Sequence, residues 1–295
     1  MEALIALLGL GSGGLINMLA DCMPLNRRLA FPHCPACTAP RPLAAWFGIG
    51  ALFARAWRCP YCGTPRSWRV PLVEAVTTVG AIWLYRRDPT PISFWPDGLV
   101  LAFFILIVVI DIEHRLILHI ITGPAALVFG LIGVLKPDQE LGMILLGGLT
   151  GFGLVLVMYL LGCVFAHLLA RLRGKVLEEV AFGFGDATLA GVLGLIVGFY
   201  GVLVALFLGI LVAGLFSLVY LLFMLLRRRY QAFLPIAYGP FLVLGASIVY
   251  FGGRTAIESI FPYGPLWLLG TLIIYFVGRA AVERLKGSQG FVNPE

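Results

Sequence analysis

Charged residues are scarce in this 295-residue chain, and their scarcity excludes a soluble globular protein. Only 12% of the residues are charged, 60% are hydrophobic, and the mean hydropathy is +0.98. A soluble domain has about 25% charged residues, because polar groups must cover its surface. We therefore predict that lipid surrounds most of the chain. The 36 glycines agree with this prediction, since glycine lets membrane helices pack closely.

Basic residues are absent ahead of the first apolar run, which favours a retained span over a cleaved signal peptide. Apolar runs suited to crossing a bilayer predict spans at about 3–20, 70–85, 97–110, 116–135, 141–169, 186–199, 201–226, 235–252 and 264–278. The stretch 186–226 is alternatively one long helix broken near residues 198–201. The predicted fold class is an all-α polytopic membrane protein with eight to nine transmembrane helices.

The positive charges predict the orientation of these spans. If the N-terminus lies outside and the spans alternate, 17 of the 21 Lys and Arg residues fall in inner loops. The four in outer loops are Arg86, Arg87, Lys136 and Arg254. Because positive residues are enriched in cytoplasmic loops, we predict a cytoplasmic location for the longer loops. The same rule explains the net charge of +6 without nucleic acid as a partner.

Cysteine is also scarce, yet four of the six cysteines form two Cys-x-x-Cys pairs in the inner loop of about residues 21–69. Cys34 pairs with Cys37 and Cys59 with Cys62, and 21 residues separate the pairs. This spacing is typical of a four-thiolate zinc site, since a two-residue gap lets both sulfurs reach one ion about 2.3 Å away. The cytoplasm keeps thiols reduced, so disulfides are the weaker alternative. We predict a structural zinc ion that stabilises the loop.

Two aspartates are predicted to lie at the same depth on the inner side. Asp111 ends the apolar run 99–110, and Asp186 follows Gly183-Phe184-Gly185 at the start of another span. Charged groups beside a bilayer are costly and therefore indicate function. If the carboxylates meet, one can act as base on a water and the other as acid toward a departing amine. Gly183 and Gly185 would leave room for an extended substrate backbone. The alternative is that both aspartates are helix caps facing water.

A third acidic residue, Glu74, lies inside the second apolar stretch and close to the inner face. On position alone, a functional carboxylate and a satisfied interfacial carboxylate are equally good interpretations. His114 and His119 flank the loop after the first aspartate. They lack the spacing of a metal site and are predicted to be hydrogen-bonded or solvated loop residues.

Six segments, in the same order, resemble the type IV prepilin peptidases, a family of membrane aspartic proteases with a Gly-x-Gly-Asp motif. They are residues 14–17 with 23–24, the two cysteine pairs, 69–74, 111–114, 183–186 with 189–190, and 235–241. Each motif is weak alone, but six in the right order are highly specific. The resemblance extends over about residues 9–245.

The resemblance implies about eight membrane helices and two activities on the cytoplasmic face of a bacterial plasma membrane. One is cleavage of the basic leader of type IV prepilins or type II secretion pseudopilins after a glycine. The other is methylation of the new N-terminal residue, with S-adenosylmethionine as methyl donor. Carried over by residue, the resemblance gives Asp111 and Asp186 to cleavage and the four cysteines to the metal. Glu74 falls in the segment associated with methylation.

The resemblance also divides the chain. Residues 1–90 are predicted to hold the first span, the zinc loop and the second span, with the methyltransferase; 91–250 form the peptidase membrane domain. Residues 251–295 are an extra C-terminal segment and tail, in which 264–278 is an added span or a surface helix. Two positions depart from the family pattern: His119 stands where the family has an aspartate, and Thr188 where it often has a lysine.

Features that the sequence lacks leave alternatives to this prediction. It has no glycine-rich nucleotide-binding loop, so methylation follows from the resemblance alone, and a peptidase without methylation is an alternative. It has no internal repeat, which argues against a transporter. A non-catalytic membrane scaffold with a zinc loop is a further alternative, but it would not explain why two aspartates lie at the same depth. The expected partners are prepilin-like substrates and lipid, and the sequence predicts no oligomeric state.

Overall fold

The chain is all-helical wherever the computed structural model describes it, apart from two isolated β-bridges. The described residues are 1–26, 33–34, 36–41, 46–53, 57–135, 140–173, 183–227 and 237–252. The predicted segment 264–278 lies outside these residues. The helices are α1 (Glu2–Asn26), α2 (Gly48–Phe53), α3 (Arg69–Arg87), α4 (Pro91–His114), α5 (His119–Leu135), α6 (Leu141–Arg173), α7 (Phe184–Leu226) and α8 (Gly239–Gly252).

Four of these helices contain a segment long and apolar enough to cross a membrane. These segments are Glu2–Pro24, Pro91–His114, Leu141–Phe165 and Phe184–Met224. Two further apolar helices, His119–Leu135 and Gly239–Gly252, are shorter. The prediction of an all-α membrane protein agrees with this finding, whereas the predicted count of eight to nine spans is not confirmed.

The two predicted spans 186–199 and 201–226 are two helical segments of α7 that meet at a kink at Gly198. Gly151 of α6 lies beside both Ala190 before the kink and Val202 after it, so the chain turns sharply here. Gly198 has φ 75° and ψ −178° inside α7, a conformation that side chains with a Cβ rarely adopt. A similar change of direction follows α4, where Arg115 takes a left-handed conformation with φ 53°. This turn separates α4 from α5 and places the end of one helix beside the start of the next.

Glycines bring α6, α7 and α8 into close contact. A Cβ at Gly194 of α7 would lie 2.0 Å from the carbonyl oxygen of Gly147 in α6, so no larger residue fits. In the part of α7 after Gly198, a Cβ at Gly245 of α8 would lie 2.1 Å from the carbonyl oxygen of Ala205. Close packing of this kind holds membrane helices together, because the hydrophobic effect does not drive their association in lipid.

Helix α4 contributes to two hydrophobic clusters and so joins the two halves of the fold. Phe103 and Ile107 pack in a cluster with residues of α5 to α8. Ile110, one turn further along, packs with Ile16 of α1 and Val73 of α3. The last turn of α4 therefore lies between the α1–α3 pair and the α7–α8 pair.

Candidate active site

Asp111 lies in the last turn of α4 and is buried, with 4% of its surface exposed. Its Oδ2 atom has no hydrogen-bond partner among the described residues. Buried polar atoms in proteins nearly always have a partner, so an open carboxylate oxygen indicates that a water or a substrate binds there. The side chain is therefore not a helix cap that faces water, which was the alternative interpretation.

Asp186 lies in the first turn of α7 and is half-buried. Its Oδ2 accepts a hydrogen bond of 2.8 Å from the backbone N–H of Gly183, and its own N–H donates to the Gly183 carbonyl at 3.0 Å. This reciprocal pair is the contact that a capping acid makes at a helix start. Asp186 thus forms the cap contact of the alternative interpretation.

The two glycines before Asp186 have different surroundings. Gly185 packs against Ile117, which lies in the turn after α4; a Cβ there would be 2.9 Å from the Ile117 Cβ. Gly183 is open, since the nearest atom to its added Cβ is Asp186 Oδ2 at 3.7 Å. Only Gly183 therefore leaves the free space that was predicted for a substrate backbone.

The start of α8 contacts Asp111 and lies near Asp186. A Cβ at Gly239 would lie 2.5 Å from Asp111 Oδ2, so only glycine allows this approach. Burial and the nearby charge of Asp186 raise the pKa of the hydroxyl group of Tyr238, the preceding residue. Residues 235–241 were matched to the family only as a segment, and the place of Tyr238 and Gly239 near the aspartates was not predicted. The Tyr-Gly-Pro turn before an apolar run was the available signal.

The two positions that depart from the family pattern contact each other. Thr188 Oγ1 lies 3.4 Å from His119 Nδ1, and it also donates to the Gly185 carbonyl at 2.8 Å. The family pattern has an aspartate and a lysine at these positions, which are opposite charges. In this chain the two positions hold a His–Thr pair instead.

A large apolar groove begins beside this site and continues between α5, α6 and α7. Its volume is about 800 Å³. Phe184 and Thr188 line it at the end near Asp186, and Gly123 of α5 and Gly142 of α6 leave its walls open. The lining is almost entirely apolar, so the groove suits an apolar chain segment or lipid tails.

The four predicted metal ligands come together in the loop between α1 and α3. Their sulfur atoms all lie within 4.8 Å of one another. Cys34 Sγ is 3.5 Å from Cys62 Sγ, and Cys37 Sγ is 3.7 Å from Cys59 Sγ. A zinc tetrahedron with bonds of about 2.3 Å has edges of about 3.8 Å, so these separations fit the ion. They are too long for disulfides, and all four thiols are free.

The two cysteine pairs form matching turns. The Cys34 N–H donates to the Ala39 carbonyl at 2.9 Å, and the Cys59 N–H donates to the Thr64 carbonyl at 3.0 Å. Hydrogen bonds from the Thr64 side chain and backbone lower the pKa of the Cys62 thiol to about 6. A thiolate is the form that binds zinc, so the donor set and its geometry both fit a structural metal ion.

Glu74 is fully buried in α3, and its carboxylate is satisfied by backbone groups. It accepts hydrogen bonds from the N–H of Gly48 at 2.7 Å and of Ile49 at 2.8 Å, at the start of α2. Gly13 of α1 covers it from the other side. Of the two interpretations of Glu74, the geometry favours a satisfied carboxylate that holds α2 against α3.

Comparisons with known proteins agree with this arrangement. A model of the Type IV leader peptidase family matches residues 98–218, and a model of the Bacterial Peptidase A24 N-terminal domain matches residues 7–87. The chain belongs to the type IV prepilin peptidase family. The first match runs from within α4 to within α7 and contains both aspartates, and the second contains the cysteine pairs and Glu74. The predicted family and the predicted class of enzyme are therefore confirmed.

Curated relatives carry the same family name. A prepilin leader peptidase/N-methyltransferase of Myxococcus xanthus (strain DK1622) is 26% identical over 63% of this chain and 53% of its own length. The proteins of that name from Legionella pneumophila and Aeromonas salmonicida (strain A449) are each 28% identical. They cover 79% and 75% of this chain, and 76% and 70% of their own lengths. No solved structure matches the chain significantly.

Proposed function

We propose that this member of the prepilin peptidase family is an intramembrane aspartic endopeptidase and N-methyltransferase. It removes the basic leader of a type IV prepilin or type II secretion pseudopilin after a glycine, and then methylates the new N-terminal residue with S-adenosylmethionine. The observation that supports this proposal is the buried Asp111, whose Oδ2 has no hydrogen-bond partner among the residues described and lies against Gly239, while the adjacent Tyr238 lies near Asp186.

The two carboxylates have complementary roles in hydrolysis. One takes a proton from a water molecule, whose oxygen bonds to the carbonyl carbon of the scissile peptide. The other gives a proton to the nitrogen as the C–N bond breaks, so a carboxyl and an amine terminus result. Such a pair titrates as a unit, and each turnover can return it to its starting protonation state. The zinc ion takes no part in this step and stabilises the cysteine loop.

The distribution of charge supports an active site on the cytoplasmic side, with the N-terminus outside. In this orientation Asp111 and Asp186 lie at the inner end of α4 and α7, where 17 of the 21 basic residues are also placed. A substrate with a basic leader and one apolar helix would stand in the bacterial plasma membrane with its leader inside. Its scissile bond would then lie at the depth of the aspartates.

The apolar groove supports a site for the helix of the substrate, because it ends beside Asp186. The expected effect of a bulky residue here is a slower reaction for a membrane-inserted substrate. Gly123→Leu should lower its cleavage rate at least about tenfold, since displacing a scissile bond by about 1 Å can cost about 10²-fold. A short soluble peptide that carries only the leader and cleavage site should be cleaved at the wild-type rate.

Gly130→Leu is the matched control for this prediction. Both glycines lie on α5, and an added Cβ meets no described atom within 4 Å at either position, but only Gly123 lines the groove. Equal cleavage rates for the two variants on the membrane-inserted substrate would show that the groove holds lipid instead of substrate.

The proposed function is tested by reconstituting the full chain into liposomes with a substrate that has a basic leader, a glycine, a phenylalanine and an apolar helix. Mass spectrometry should find a product that begins directly after the glycine. With S-adenosylmethionine present, the product should be heavier by one methyl group. Cleavage without the methyl group would identify a peptidase that lacks methylation, and an intact substrate would contradict both activities.

A further inference from the structure

A polar pocket lies between α1, the cysteine loop and the ends of α3 and α4, on the same side as the aspartates. Its volume is about 290 Å³, near the lower end of the range of about 300–1,000 Å³ for small-molecule sites. It differs from the apolar groove in that charged and polar side chains form much of its wall. Those that matter here are Asn17, Asp21, Trp46, Arg66, Arg69 and Glu113.

Two buried polar atoms in this wall have no hydrogen-bond partner in the described part of the chain. They are Asn17 Oδ1 and Arg69 Nε. Asn17 has only 4% of its surface exposed, and its Nδ2 donates to the Val70 carbonyl at 3.1 Å, which fixes the orientation of the amide. A buried donor or acceptor that stays unpaired loses its hydration without compensation and destabilises the fold. An acceptor and a donor left open in one pocket therefore indicate a polar ligand.

The charges of the pocket suit a ligand that carries both signs. Arg69 bridges two carboxylates: its Nη2 lies 2.5 Å from Asp21 Oδ1, and its Nη1 contacts Glu113. Arg66 donates to the Trp46 carbonyl at 3.0 Å, and burial lowers the pKa of its guanidinium group. The pocket thus offers carboxylates to a cation and arginines to an anion, and its wall also holds an indole ring and an open amide oxygen.

From these features we propose that this pocket binds S-adenosylmethionine, an inference that rests on the proposed methyltransferase function. The ligand has an ammonium and a sulfonium cation for Asp21 and Glu113, and a carboxylate for the arginines. Its adenine has a flat ring that can pack on Trp46 and an exocyclic amine that can donate to Asn17. The residues that line the pocket therefore fit each part of the methyl donor.

The position of the pocket suits a second reaction that follows cleavage. Glu113 lies two residues after Asp111 on α4, a rise of about 3 Å along the helix axis. The pocket therefore lies at the same end of α4 as Asp111 but on another face of the helix, so an amine released at the aspartates must pass around the end of α4 to reach it. Its nitrogen lone pair forms a bond to the methyl carbon as the C–S bond breaks. The electron pair of that bond stays on sulfur, and the positive charge passes to nitrogen.

This location also explains why Glu74 belongs to the segment associated with methylation. Its carboxylate does not reach the pocket, because it is fully buried and holds the N–H groups of Gly48 and Ile49. Gly48 and Ile49 come directly after Trp46 and Phe47 in the chain. Phe47 packs against Gly14 of α1. Glu74 is therefore a positioning residue that keeps the Trp46 wall in place.

The test is equilibrium binding of S-adenosylmethionine to the purified, zinc-loaded full chain, measured by isothermal titration calorimetry. Asp21→Asn should weaken binding at least about tenfold, since it removes a charged partner of the ligand. The side chain of Asp21 is 58% exposed, so this change carries little risk to folding. Asn17→Leu, which removes the open oxygen and the Nδ2 donor but keeps the number of heavy atoms and the branching of the side chain, should weaken binding similarly. Glu2→Gln is the control, because Glu2 pairs with Arg86 at 3.0 Å, as Asp21 pairs with Arg69, but lies outside the pocket.

Cleavage of the prepilin-like substrate by the same variants provides the second measurement. We expect kcat and KM for cleavage to stay close to those of wild type, whereas methylation is lost. If both pocket variants bind the methyl donor as wild type does while wild type methylates, the pocket assignment is wrong and the proposed function stands. If binding is unchanged but KM for cleavage rises, the pocket holds the basic leader instead. Wild type that binds no methyl donor would overturn the methyltransferase function itself.

Discussion

Asp111→Asn and Asp186→Asn should each lower the rate of leader cleavage by at least about 10³-fold. Asparagine keeps the size and shape of the side chain but neither takes up nor releases a proton in this chemistry, and acid–base catalysis contributes about 10²–10⁴-fold. In Asp186→Asn the amide oxygen can still accept from the Gly183 N–H, which preserves the start of α7. Cleavage rates in proteoliposomes, with thermal unfolding and zinc content measured in parallel, check this expectation.

A matched control for these substitutions lies on the same helix as Asp111. Asp97 accepts a hydrogen bond of 2.7 Å from the Tyr250 hydroxyl at the opposite end of α4. An asparagine oxygen can accept the same bond, so Asp97→Asn should cleave at close to the wild-type rate. If Asp111→Asn or Asp186→Asn cleaves at close to the wild-type rate as well, that carboxylate is neither acid nor base. It then has only a structural role.

Loss of one cysteine ligand should have the second large effect, on the metal and on the polar pocket. Structural zinc contributes an apparent binding free energy of about 10–16 kcal/mol in zinc-finger peptides, so three thiolates should not retain the ion firmly. We expect Cys59→Ser to lose its zinc and to lose binding of S-adenosylmethionine. The physical reason is that Trp46 lies between the two cysteine pairs and Arg66 lies just after the second pair. The position of both residues therefore depends on the fold of the cysteine loop. Elemental analysis and calorimetry measure the two losses.

Cys163→Ser is the control for the zinc prediction, because Cys163 is a free thiol on α6, far along the chain from the metal site. It should keep both the zinc ion and the methyl donor. Cleavage by Cys59→Ser should fall much less than methyl-donor binding, since α4, α7 and α8 hold the aspartates without the cysteine loop. Retention of zinc by Cys59→Ser, at one ion per chain, would contradict the four-thiolate site.

Much of the helical order could be predicted from the sequence, because apolar runs in a membrane protein are long and their ends carry charges. The break in α7 was anticipated from its glycines, and Gly198 provides it. The number of spans could not be settled in the same way. Runs such as 116–135 and 235–252 have the composition of a span, but their helices begin later, at His119 and Gly239, and are short. The left-handed turn at Arg115 delays the beginning of α5 until His119.

The contacts between helices were beyond what the sequence could predict. A helix that is apolar on all sides has no amphipathic pattern to show which face packs against which neighbour. The approach of Gly239 to Asp111 therefore could not be read from spacing, although both residues lie in recognised segments. The same holds for the contact between His119 and Thr188, which appeared in the sequence as two separate departures. The role of Glu74 was undecided because its partners, two backbone N–H groups at the start of α2, carry no sequence signal.

The measurement that tests the central claim most directly is a double-mutant cycle on the two aspartates. Residual leader cleavage is measured for Asp111→Asn, Asp186→Asn and the double variant in proteoliposomes, with methyl-donor binding as the check on folding. If the carboxylates act as one unit, the double variant should be no slower than the slower single variant. Losses that multiply in the double variant would show that the two residues act independently and would contradict the paired mechanism.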